Sequence, residues 1–268
     1  MKSVTADPIL LKCMQLSLGL ALPILIPYLQ FGVVYQLWSQ HSVTVKREHC
    51  QNSCWDTNFK AGYETGAGSY KHVYFNSTWQ AGAMWAMTLL VVIGCYESVK
   101  YLAQLWMFNS VRWRMVILFL SAVYPHYYAF WAMWNYINDD FYSQVTHQLL
   151  FTSTELVSTL MVLHLADTGT QAQPVKLLVI IGIAGGHVLA AGWDQFVGNV
   201  LLQEGGLHQI LRDLGFMLPD LLHIYLPVKE LQIYAAKRRI FPAYLISNKM
   251  AAATLSTSAA IWLLSAIL

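Results

Sequence analysis

Apolar residues in this chain gather into long blocks that approach or exceed the length needed to cross a bilayer, about 20 residues each. Seven runs are legible: Cys13 to Trp38, Ala81 to Leu102, Met115 to Trp134, Leu149 to Ala166, Leu177 to Leu201, Ile210 to Val228 and Phe241 to Leu268. They predict an all-α polytopic membrane protein built as a seven-transmembrane helix bundle. The fourth run is barely long enough. The sixth is interrupted by Arg212, Asp213, Pro219, Asp220 and His223, so six spans is the competing count. Pro23 and Pro27 predict a kinked first helix, because each removes a backbone donor and crowds the preceding turn. That run is longer than the apolar core of a signal peptide and continues past the small residues Gly19 and Ala21, which favours a signal anchor.

Composition excludes a soluble domain. The chain is 56% hydrophobic and 11% charged, against roughly 45 to 50% and about 25% in soluble proteins. In 268 residues the spans leave one substantial loop, so 1–268 reads as a single membrane domain with 39–80 as an outer loop. The bilayer is the expected partner. A net charge of +2, spread along the chain, gives no nucleic-acid footprint.

Two independent signals orient the bundle. The long loop carries the sequon Asn76-Ser77-Thr78, an acceptor for N-glycosylation, and the closely spaced Cys50 and Cys54, a candidate disulfide. Both suit a lumenal or extracellular face. With that loop outside, the cytoplasmic segments hold Lys2, Lys12, Lys100, Arg112, Arg114, Lys176, Lys229, Lys237, Arg238 and Arg239, whereas Lys46, Arg47, Lys60 and Lys71 lie outside. The positive-inside rule thus agrees with the sequon. The expected protein has its N-terminus in the cytoplasm and its C-terminus lumenal or extracellular, in the endoplasmic reticulum or plasma membrane. Cys13 and Cys95 read as free thiols, and no paired CxxC spacing points to a zinc ribbon. Gly62 to Ser69 is glycine-rich but lacks the Lys-Ser/Thr of a phosphate loop.

The candidate chemistry sits inside the spans. Ionisable groups are costly in hydrocarbon and face protein or water there. Glu155, His187, Asp194, Asp220 and His223 form the candidate intramembrane polar cluster, with His126 as a further member. His187 and Asp194 are seven apart, as are Asp213 and Asp220, and residues at that spacing share a helix face. The short connection through Glu204-Gly205-Gly206 makes the fifth and sixth helices antiparallel neighbours, with their polar stripes facing each other. Arg212 and Asp213 read as a structural ion pair, and His164 as an interhelical hydrogen-bonding residue. Gly182 and Gly186 suggest a close helix contact, and the Ala, Ser and Thr of 251–260 a tightly packed last helix.

No motif names a ligand, and no cofactor is assigned. A metal ion is compatible with His187, Asp220 and His223 as candidate ligands. The leading expectation is a transporter or channel-like protein for an ion, proton or small polar solute. The alternatives are an intramembrane metal-dependent hydrolase and a non-catalytic receptor or assembly factor.

Overall fold

A backbone crossing hydrocarbon must satisfy its own amides, which a helix does within one segment. The computed structural model describes residues 8–29, 79–138 and 143–268, and these are helical with no strand. The order is α1 (Pro8–Leu29), α2 (Trp79–Met107), α3 (Trp113–Asn138), α4 (Ser143–Ala166), α5 (Pro174–Ala191), a π-helical segment (Gly192–Leu201), α6 (Leu207–Arg238), a 3-10 turn (Pro242–Leu245) and α7 (Asn248–Ile267). Cys50, Cys54, Asn76 and the remainder of the expected outer loop up to Thr78 lie outside the described residues.

Five of these helices are long and apolar enough to cross a membrane: 86–107, 113–137, 143–166, 174–191 and 248–267. α6 is not one of them, because Arg212, Asp213, Asp220, Lys229 and Glu230 interrupt its apolar surface. At 32 residues it is nevertheless about 48 Å long, more than a bilayer core needs.

Local chemistry sets the boundaries. α5 opens on Pro174, whose missing N–H falls where a helix has no partner for it. The Gln209 side chain accepts the Gly206 N–H at 2.9 Å and so helps to start α6. Arg239 ends α6 in the left-handed region, at φ 56°. Two expected helices are divided. Pro242 and the Ser247 cap, which accepts the Met250 N–H at 3.3 Å, separate a short turn from α7. The expected fifth helix is α-helical only to Ala191 and then widens into the π segment. The 3.6-residue period that the seven-residue spacing of His187 and Asp194 assumes therefore ends at Ala191.

α5 is the centre of the bundle. Of its apolar window 44% is buried, against 6% for both α2 and α7, whose outward surfaces suit lipid; residues 89–94 of α2 are exposed without a break. α5 packs on α4, α6 and α7. Its contact with α7 runs along Gly182, Gly185 and Gly186, which meet Thr254, Ser258 and Ile261. The Ser258 hydroxyl donates to the Gly182 carbonyl at 2.7 Å. α7 is thus packed on one side only, with Ile261 as its buried residue.

The main apolar core, including Met115, Leu118, Val162, Leu165, Leu177, Ile180 and Leu231, fills one end of the bundle. A polar clamp closes that end. Arg114 donates to Glu230 at 2.9 Å, and Arg112 lies 3.7 Å from the same carboxylate. Arg112 also donates to the carbonyls of Leu165 and Thr170, the latter at 2.9 Å. The α2–α3 link, the α4–α5 link and the late turns of α6 therefore meet at one end.

Candidate functional site

Three helices each bring one ionisable side chain to a common point. Glu155 of α4, His187 of α5 and Asp220 of α6 offer donor atoms that all lie within 4.8 Å of one another. His187 Nδ1 is 3.4 Å from Asp220 and 3.7 Å from Glu155. The side chains are 7%, 12% and 15% exposed for His187, Glu155 and Asp220, so the group is enclosed by protein.

Helix distortions flank the group. Pro219, just before Asp220, lacks the N–H that would bond the Gly215 carbonyl. The π segment begins five residues after His187. One turn before Asp220, Tyr124 and Tyr128 of α3 pack against Phe216, and the Tyr124 ring lies directly over Gly215, where a side chain would collide with it.

The orientation of His187 follows from its second nitrogen. Nε2 is 2.8 Å from the Thr154 hydroxyl, which also lies 2.9 and 3.0 Å from the carbonyls of Leu150 and Phe151 on its own helix. A hydroxyl has one proton. With that proton given to a helix carbonyl, Thr154 accepts from His187 Nε2; in either tautomer Nδ1 is the nitrogen that faces the two carboxylates. The Phe151 ring, 5.1 Å from the imidazole, covers it.

His223 is one turn beyond Asp220 on the same face of α6 and is 2% exposed. Its Nδ1 donates to the Pro219 carbonyl at 2.8 Å, and its Nε2 is buried with no hydrogen-bond partner among the described residues. It stands outside the 4.8 Å group but within electrostatic reach of Asp220 and His187. His126 of α3 bonds the Thr159 hydroxyl of α4 at 2.7 Å and lies within electrostatic reach of His223. The structure thus gathers Glu155, His187 and Asp220, with His223 and His126 alongside. The side chain of Asp194 lies outside the described residues.

Arg212 and Asp213 belong to a separate network. Arg212 donates to Asp213 and to Gln195 of the π segment, each at 2.7 Å, and Asn199 donates to Asp213 at 2.7 Å. His164 is bonded by Lys176 at 2.6 Å, away from the group. Sequence reasoning missed Thr154, Thr159, Gln195, Asn199 and Glu230. Gln195 and Asn199 interrupt an apolar run, a signal that was present; the others carry none, because a helical Thr commonly bonds its own backbone and Glu230 reads as a loop charge.

Fold and site together define the class: an all-helical membrane protein with ionisable side chains converging inside its bundle. The chain belongs to the family of unknown function DUF8801, whose family model matches residues 12–268. No curated protein and no solved structure matches it.

Proposed function

We propose that this protein is a transporter or channel-like protein that passes a cation through the bundle at Glu155, His187 and Asp220. The observation carrying the reading is the meeting of two carboxylates and an imidazole, one from each of three helices, within 4.8 Å. Carboxylates withdrawn from water take up a positive counter-charge or a proton, and two of them beside an imidazole form a site for a cation. Nearby guanidinium groups are engaged elsewhere, Arg212 with Asp213 and Gln195, and Arg112 and Arg114 with Glu230. Among the described residues an exchangeable cation, held by His187 and the two carboxylates, is left to balance them.

Transport is favoured by the origin of the donors. Each comes from a different helix, so a relative shift of α4, α5 and α6 disassembles the site. The π segment near His187 and Pro219 beside Asp220 supply helix irregularities where an ion is bound, as discontinuous helices do in secondary transporters.

In this reading the chain threads seven times, with its N-terminus cytoplasmic, its C-terminus lumenal or extracellular, and α6 crossing with its polar face inward. Basic-residue distribution supports it, as does the clamp that joins the α2–α3 link, the α4–α5 link and the late turns of α6 at one end. The exposed Trp106 and Trp113 flank that end as interfacial anchors. A membrane of the secretory pathway is the location it implies.

The test is flux in proteoliposomes under imposed gradients of H+, Na+, K+, Ca2+, Mn2+ and Zn2+. Flux of at least one ion above protein-free vesicles is expected, falling at least about tenfold in Asp220→Asn that remains monodisperse. Absence of flux for all six, or undiminished flux in the variant, overturns the assignment.

A second reading, an intramembrane metal-dependent hydrolase, is favoured by the three-donor set, which leaves a coordination position open for water or substrate. It predicts a metal retained through turnover in a protein that moves none of the six ions.

A further inference from the structure

Resting on the reading of this group as a cation site, we infer that its occupant is a divalent transition metal of the zinc, manganese and iron class. The ligands are His187 Nδ1 and one oxygen each from Glu155 and Asp220. Donor chemistry selects this class. Alkali and alkaline-earth ions prefer all-oxygen shells, whereas imidazole with carboxylate suits first-row transition metals. Charge selects it too, since two carboxylates are balanced by a dication without any guanidinium or ammonium.

The orientation of His187 is that of a metal-binding histidine. Its Nε2 is 2.8 Å from the Thr154 hydroxyl, which leaves Nδ1 turned toward Glu155 and Asp220. An anchored second nitrogen is the usual companion of a ligating imidazole. Nδ1 meets the two carboxylates through either a proton or a metal, and a metal engages all three donors at once.

His223 provides an independent observation. Its Nδ1 faces the Pro219 carbonyl, which only accepts, so Nδ1 carries the ring proton and Nε2 presents a lone pair. That lone pair is buried, on a residue 2% exposed, without a partner among the described residues. A neutral imidazole with a bare nitrogen is the form that binds metals. It lies one turn from Asp220 but outside the 4.8 Å group, so it becomes the fourth donor on condition that α6 draws in around the ion.

The experiment uses the purified full-length protein, stripped by chelation and titrated with ZnCl2, MnCl2 or CoCl2. About one equivalent of zinc or cobalt is expected to be retained after desalting, and the cobalt form should show ligand-field bands in the visible spectrum. His187→Gln and Glu155→Gln should each weaken binding by at least about tenfold, while His223→Gln should shift the cobalt bands. Thermal melting with Ca2+ present identifies variants that remain folded. A folded wild-type protein that retains no transition metal, or folded His187→Gln with undiminished zinc affinity, overturns the inference; unshifted cobalt bands in folded His223→Gln overturn the assignment of His223 to the shell. Proton or sodium flux abolished by Asp220→Asn in a protein that binds no metal leaves the transport reading standing and sinks this one. Stoichiometric metal without any flux does the reverse.

Discussion

Thr154 meets Nε2 of His187 at 2.8 Å while Nδ1 faces the carboxylates, so it holds the ring in that orientation. Replacing it with valine keeps the shape, removes the acceptor for Nε2–H and frees the ring to change tautomer. Thr154→Val is expected to lower metal affinity by about 10- to 100-fold with little effect on melting, as measured by titration and calorimetry. Glu230 carries a different kind of weight. It is 5% exposed and faces two arginines, so Glu230→Gln leaves both without their counter-charge. A loss of about 3 to 5 kcal/mol is expected in denaturation. Arg114→Ala should cost about 1 kcal/mol or less, because its side chain is 45% exposed. The larger effect belongs to Arg112, which also holds carbonyls of the neighbouring link.

Among the elements, α5 has two faces with different tasks. One presents His187 toward α4 and α6; the other is a glycine track against α7. In lipid there is little hydrophobic gain from bringing helices together, so close van der Waals approach and hydrogen bonds hold them. A Cβ at Gly186 would lie 2.7 Å from Ile261 Cβ, an atom that no rotamer change can move away. Gly186→Ala is therefore expected to destabilise by about 1 to 3 kcal/mol. Gly94→Ala is the control: no atom comes within 4 Å of the added methyl on α2, and its melting temperature should not fall. The π segment adds a wider turn at the end of α5 and sets Gln195 and Asn199 against Arg212 and Asp213. Its polar side chains fasten the start of α6 while His187, nearer the centre, engages Asp220.

The whole molecule combines a tight end with an adaptable middle. Apolar packing and the Arg112, Arg114 and Glu230 clamp concentrate at the end where basic residues gather, and Glu155, His187 and Asp220 lie further along the helices. The proposed transport requires that this end hold the bundle while those three side chains separate. The proposed threading predicts that this end faces the cytoplasm. In a cysteine-free background, a cysteine at Thr168 should react with an impermeant maleimide only after permeabilisation, and one at Glu204 should react in intact cells. The opposite pattern refutes the orientation.

Run length and hydropathy alone determined that the chain is helical and belongs in a membrane, because hydrocarbon admits few backbone solutions and makes each long apolar segment report itself. They also singled out Glu155, His187, Asp220 and His223, since ionisable residues in such segments stand out by cost. Only the tertiary structure decided which of them meet. Helix rotation and neighbour choice depend on close contacts such as Gly186 with Ile261 and Tyr124 with Gly215, and these pairs are far apart in sequence. The same holds for Thr154 and Glu230, ordinary residues by pattern, whose roles arise from what α5 and α3 place opposite them. The break at Ala191 was invisible for a related reason: α and π turns accept the same apolar residues, and it is packing against α6 that accompanies the wider one.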